Sequence, residues 1–165
     1  MMRRLVLIRH AKSAWEDPLL TDHQRPLALR GQEAAPKIGR WLADQGAVPD
    51  QILCSDAQRT RETWGLIAPL LDTPEPAYLP ALYHAGPDVI LRELRRATGQ
   101  TVALVGHNPG MCEFAGLIVK YRPAHPQFDR YPTAATLIAE FSIDDWREAT
   151  YATARPIAFT VPRDL

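Results

Sequence analysis

Two histidines stand where apolar runs end: His10 closes "LVLIRH" and His107 closes "TVALVGH". Arg9 precedes the first, Lys12 and Ser13 follow it, and a third segment, "CSDAQRTRET" from Cys54 to Thr63, carries Arg59. Two arginines gathered with two histidines need an anion to justify them. Guanidinium groups grip tetrahedral oxyanions through paired hydrogen bonds and keep their charge near neutral pH, so phosphate is the natural ligand. Neutral imidazole beside a doubly clamped phosphorus is also a nucleophile, able to form a covalent intermediate that water later resolves. Arginine neighbours depress the pKa of such a histidine from its reference near ~6.5 and keep a ring nitrogen free to attack. The second histidine, as a cation, would stabilise charge on the transferring phosphoryl oxygens. This chemistry calls for no metal and no other cofactor.

These groups meet only if the elements that carry them end at one edge. Short apolar runs alternate with segments of helical period, the pattern of a mainly parallel sheet covered on both faces, and the fold expected is a three-layer α/β/α sandwich. The strands are expected at Arg4 to Arg9, Gln51 to Cys54, Ala77 to Leu79, Thr101 to Val105 and Thr136 to Phe141, with a partner for the last somewhere in Ala154 to Val161. Four helices present apolar faces: Ala34, Ile38, Trp41 and Leu42, ending at Gly46; Trp64, Ile67 and Leu71; Ile90, Leu94 and Ala97; and Met111, Phe114, Ala115 and Ile118. In open α/β sheets ligands bind beyond the carboxyl ends of the strands, where Arg9, His10 and His107 all fall. Ser55 and Gln58 have capping-box spacing at the same edge, and free N–H groups after Asp56 and after Gly110 add positive partial charge. "YRPAHPQFDRYPT", residues 121–133, is a proline-rich loop that could border the site.

The 165 residues suffice for one domain, 1–165, with a substantial core. Nineteen basic side chains balance nineteen acidic ones, which gives no footprint for nucleic acid or an anionic membrane. The apolar run near the N-terminus is far shorter than a signal-peptide core, so a cytoplasmic protein is expected, with a monomer as the default. Cys54 and Cys112 have no metal-ligand spacing and are expected as small buried hydrophobes. "RELRR", Arg92 to Arg96, is expected as a solvated helix face, and His23 and His125 as exposed residues.

"LIRHAKSAW", "RPLALRG", "CSDAQRTRET" and "VGHNPGM" follow one another in the order and spacing of the histidine phosphatase superfamily, which includes the phosphoglycerate mutases. Without long insertions, the chain resembles most the small SixA-type phosphohistidine phosphatases, a likeness that runs from about Arg4 to Thr136. The resemblance implies a phosphoglycerate mutase-like fold, phosphorylation of His10, a phosphate grip by Arg9 and Arg59, and His107 as the second histidine of the pocket. Lys12 and Ser13 match the small-phosphatase form of the first motif. Arg25 and Gly31 match positions expected in a loop and helix start rather than in chemistry. Asn108, Tyr83 and His84 are further candidates for the pocket.

Departures from the family pattern are informative. In the third motif Asp56 replaces a proline, Thr60 an alanine and Glu62 a glutamine, while Arg59 and Thr63 are kept. In "YLPALYHAGPD", Ala81 stands where phosphomonoesterases and mutases of the superfamily carry a proton-donating Glu. A proton donor matters most for a poor leaving group such as an alkoxide, and imidazole is expelled more easily. Removal of phosphate from phosphohistidine in a protein is therefore the expected reaction. Tyr83, His84 and Asp88 are substitute donors in the alternative, a phosphomonoesterase acting on a small ester. Two rivals differ in kind: a pocket that binds a phosphorylated partner without turning it over, and a metal site made of His10, His107, His84 and Asp88. A mutase would need extra sequence to hold a second phosphate.

Overall fold

In a computed structural model describing Met1–Leu165, the alternating runs become a six-stranded sheet. Its strands are β1 (Arg3–Arg9), β2 (Gln51–Ser55), β3 (Ala77–Leu79), β4 (Thr101–Gly106), β5 (Thr136–Phe141) and β6 (Arg155–Thr160), in the spatial order β3-β2-β4-β1-β5-β6. The first four in that order are mutually parallel, and β5 and β6 are antiparallel additions. The expected α/β fold with a mainly parallel sheet is present, and β6 falls inside the segment anticipated for it.

Two cores explain why the strands read as unbroken apolar runs. Leu5 and Leu7 of β1, Val102 and Leu104 of β4, and Leu137 and Phe141 of β5 face one way. Val6, Ile8, Ala103, Val105 and Ile138, one residue out of step, face the other way. Both faces are covered, as parallel sheets require. The first face packs on α3 (Pro87–Arg95) and α4 (Gly110–Ile118) through Ile90, Leu94, Met111, Phe114 and Ile118. The second packs on α1 (Leu29–Asp44) and α2 (Gln58–Ile67) through Ala35, Ile38, Leu42, Trp64 and Ile67. Each fully buried Leu, Ile or Val contributes about 1.5–3 kcal/mol.

The buried stripe of α1 is Ala35, Ile38, Gly39 and Leu42, so Ala34 and Trp41 lie at its margins rather than in its centre. The helix stops as expected at Gly46, whose φ of 65° no β-branched residue would tolerate there. Its N–H reaches Ala43 O while the Ala47 N–H reaches Leu42 O, a Schellman arrangement that closes the last turn. Residues 121–133 form no helix or strand, but they fold back on the sheet: Phe128 and Tyr131 are buried, and Tyr131 Oη donates to Leu7 O at 2.5 Å. No helix is long and apolar enough to cross a membrane.

Two expectations about single residues need correction. Cys112 is half-buried, with its thiol on Asp129 O, because its place in the first turn of α4 faces the 121–133 segment rather than the core. His125 is half-buried and paired with Asp164 at 2.7 Å, since the C-terminal residues fold against it.

Candidate active site

Strand register brings the two histidines together. Arg9 lies opposite Gly106, so His10 and His107 are the next residues on neighbouring parallel strands, and their ring centroids are 5.3 Å apart. Cys54 lies opposite Val105, which sets Ser55 beside the same pair, and Leu79 opposite Ser55 delivers the turn that carries Tyr83 and His84. The resulting cleft is about 300 Å³ and is lined by Arg9, His10, Asp22, Arg59, His84 and His107, among others.

His10 is held by its backbone and left free at one ring nitrogen. Its N–H donates to Gly106 O, and its carbonyl accepts from Ala134. The next amide, of Ala11, donates to Thr63 Oγ1 at 3.0 Å, which ties the turn to α2. Nδ1 lies 2.7 Å from Ala11 O. A carbonyl can only accept, so Nδ1 carries the proton and Nε2 presents a lone pair. Burial pushes the pKa down to about 3, helped by the charges of Arg9, Arg59 and Arg25 and opposed by the Ala11 carbonyl. The ring is neutral near pH 7.

His107 is neutral as well, pushed down to about 2 by burial first and then by His10, Arg59 and His84. It is therefore not the standing cation expected from sequence; the charge of an incoming phosphate would have to raise it. Nε2 lies 2.7 Å from Ser55 Oγ, which also accepts the Ala57 N–H at 3.3 Å. Ser55 thus orients a histidine instead of closing a capping box, and the N-cap of α2 is Ala57. Where the serine hydroxyl donates to Nε2, the ring proton sits on Nδ1. His107 Nδ1 and Arg9 Nε are buried polar atoms without a hydrogen-bond partner, and both belong to cleft residues.

Asp22, which sequence reasoning did not select, organises the arginines. Arg59 donates through Nη1 to Asp22 O at 2.7 Å and through Nη2 to Asp22 Oδ2 at 3.0 Å. Arg25 donates to Asp22 Oδ1 at 2.7 Å, to Ala14 O at 3.0 Å and to Ser13 Oγ. Tyr83 Oη donates to Asp22 Oδ2 at 2.5 Å. Arg25 was expected in a loop without chemistry, yet it is 7% exposed and lines the cleft. Its three-residue spacing from Asp22 was the available signal.

The remaining candidates divide. Ser13 is buried under Arg25, whereas Lys12 is exposed at the rim. Asn108 braces the site: its amide donates to Tyr131 O at 3.0 Å and its oxygen accepts the Cys112 N–H. Arg9 Nη1 reaches the same Tyr131 carbonyl, and Thr133 lines the cleft, so the proline-rich segment does border the site. His23, expected to be exposed, is half-buried and lies 2.9 Å from Asp56. Glu62 accepts the Leu27 N–H at 3.0 Å and so fastens the "RPLALRG" segment to α2. Gly31 is required where that segment meets the first motif, because a Cβ would stand 2.2 Å from Lys12 O. Gly110 is required at the start of α4, where a Cβ would stand 1.8 Å from Ala85 O. Asp88 faces a separate cleft of about 740 Å³ lined by Arg3, Arg92, Arg95, Arg96 and Arg147. The four residues of the metal rival are thus not assembled, and no His, Cys, Asp and Glu side chains form a group of three or more placed to hold a metal.

Comparison with known proteins agrees with this geometry. The family model of the histidine phosphatase superfamily (branch 1) matches residues 5–83. An uncharacterized chloroplastic protein of Arabidopsis thaliana is 34% identical over 128 residues, which span 70% of this chain and 59% of that protein. An uncharacterized protein of Mycobacterium tuberculosis is 32% identical over 163 residues, covering 94% of this chain and 100% of its own length. Among solved structures, a candidate phosphohistidine phosphatase SixA from Nakamurella multipartitia superposes with a TM-score of 0.83 at 28% identity, covering 98% of this chain and 97% of that one.

Proposed function

The chain belongs to the histidine phosphatase superfamily, and on that premise we propose that it is a phosphatase that acts through a phosphohistidine intermediate on His10 and takes its phosphate from phosphohistidine in a protein. The observation that carries this proposal is the state of His10: a buried, neutral ring whose Nδ1 proton is committed to Ala11 O, beside two arginines and the orphaned Nδ1 of His107. Arg9 and Arg59 grip the phosphate. Nε2 of His10 attacks phosphorus in line with the leaving group, and His107 Nδ1 donates to a phosphoryl oxygen as charge builds there. Once phosphorylated, the His10 ring keeps its Nδ1 proton and carries positive charge, which makes it a ready leaving group when water attacks the phosphorus.

The likeness to the SixA protein supports phosphohistidine as substrate, and Ala81 supports it independently. That residue lies exposed in the 3₁₀ turn Pro80–Leu82 and offers no proton to an alkoxide. Tyr83 and His84 are the donors nearest the cleft, and the Tyr83 hydroxyl proton is committed to Asp22.

The test compares wild type with His10→Ala on a phosphohistidine-bearing protein and on an alkyl phosphate, with chelator present. Expected are rapid release from phosphohistidine, slow release from the ester, radiolabelled phosphate trapped on His10 in wild type, and loss of all three in the variant. Fast ester turnover would shift the assignment to a phosphomonoesterase. Tight phosphate binding without turnover would make the pocket a binding module.

A further inference from the structure

Asp22 is a carboxylate set among the cations of an anion-binding cleft, a placement that weakens phosphate binding unless it serves something else. It is firmly held. Oδ1 accepts from Arg25, and Oδ2 accepts from Arg59 and Tyr83. An ionised carboxylate has about four acceptor positions. Three are occupied, and the fourth, on Oδ1, belongs to a side chain 40% exposed at the cleft. Beside it lie the Tyr83 and His84 rings, with centroids 3.9 Å apart and planes tilted by 42°.

Phosphohistidine differs from other phosphorylated side chains in having a second ring nitrogen remote from the scissile bond. We propose that Asp22 receives the leaving imidazole: its free Oδ1 position accepts the N–H of that distal nitrogen and selects substrate protonated there. This inference rests on the phosphohistidine assignment above. In the step, the His10 Nε2 lone pair forms the new N–P bond while the substrate's N–P bond breaks. The released pair returns to the substrate nitrogen and cancels the positive charge of its ring, and the distal proton stays in place. Neutral imidazole departs without any proton being delivered to the scissile nitrogen, so Ala81 costs this reaction nothing. An alkyl phosphate has no distal nitrogen and needs a proton on its leaving oxygen. Asp22 cannot supply one: although partial burial opposes ionisation, hydrogen bonds from Tyr83, Arg25 and Arg59 hold it below the usual carboxylate range.

Free phosphohistidine and phosphoramidate share a P–N bond, but only the first carries a distal ring N–H. The test measures kcat/KM on both for wild type and Asp22→Asn. A loss common to the two substrates reports the disturbed Arg59. The expected result is a further loss on phosphohistidine alone of about tenfold or more. Equal losses would overturn the proposal and leave Asp22 as a positioning residue for Arg59. Should the variant fail to fold, wild type decides the matter with phosphoimidazole and its N-methylated cation, which keeps the charge and lacks the N–H. Preference for phosphoimidazole by about tenfold, relative to the uncatalysed rates, supports the contact, and equal efficiency overturns it. Turnover of a phosphomonoester with none of either P–N compound would instead remove the phosphohistidine assignment itself.

Discussion

Ser55 Oγ lies 2.7 Å from His107 Nε2 and tethers that imidazole by one edge. In Ser55→Ala the ring loses its tether and its tautomer is no longer selected. The expected loss in kcat/KM is about tenfold, the worth of one oriented hydrogen bond. The fold should survive by circular dichroism, with stability lowered by about 1–3 kcal/mol because the buried Ala57 N–H and His107 Nε2 lose the Ser55 hydroxyl. A large drop in stability with unchanged kcat/KM would assign Ser55 to the fold alone.

Acid behaviour separates activity from stability. His10 at about 3 stays unprotonated where an ordinary histidine, near ~6.5, would already have gained a proton. His10 should therefore stay neutral between pH 4 and 6, and a nitrogen-15 NMR titration of His10 checks this directly. Stability moves the other way. Below the ordinary histidine pKa the unfolded chain binds protons that folded His10 and His107 do not bind until about 3 and 2, so stability falls as pH drops through that window. The slope contributed is at most about 2.7 kcal/mol per pH unit for the two sites. Urea midpoints between pH 7 and 5 measure it, and His107→Ala should lower the slope by up to one proton.

Arg59→Lys is not conservative. The guanidinium bridges the carbonyl and the carboxylate of Asp22 while facing the cleft, and an ammonium cannot make that fork. A loss of about a hundredfold in kcat/KM is expected. Arg25→Ala removes the second clamp on Asp22 and the cover over Ser13, and should raise KM. An unchanged KM would restrict Arg25 to loop architecture.

Two glycines give opposite results on substitution by alanine. Gly110→Ala forces a methyl against Ala85 O and displaces the turn that bears Tyr83 and His84. It should cost about 1–3 kcal/mol and lower activity together with stability. Gly65→Ala adds a methyl with nothing within 4 Å on an exposed face of α2 and should stabilise by up to about 1 kcal/mol. Melting curves of the two variants decide the matter.

The strands were legible because a sheet covered on both faces writes itself as short apolar runs, and His10, His107 and Arg9 followed from the rule that ligands meet the carboxyl edge. What escaped is tertiary. Asp22 sits in a polar turn that resembles any other until Arg59 and Tyr83, distant in sequence, close on it. Arg25 looks solvated until its three acceptors are in place. Ser55 carried a local capping signal that lost to a partner on the neighbouring strand. His23 and His125 seemed free because their carboxylate partners, Asp56 and Asp164, lie on other segments.

The strand order also governs when activity can arise. β1 lies between β4 and β5, so the N-terminal strand with His10 waits for β5, from the last third of the chain, before it has neighbours on both sides. Contacts of such long range close slowly. On the proposed mechanism a nascent chain holding Arg9, His10 and Arg59 but not yet His107 should be inert, and in refolding the return of catalysis should mark the closure of the sheet's centre.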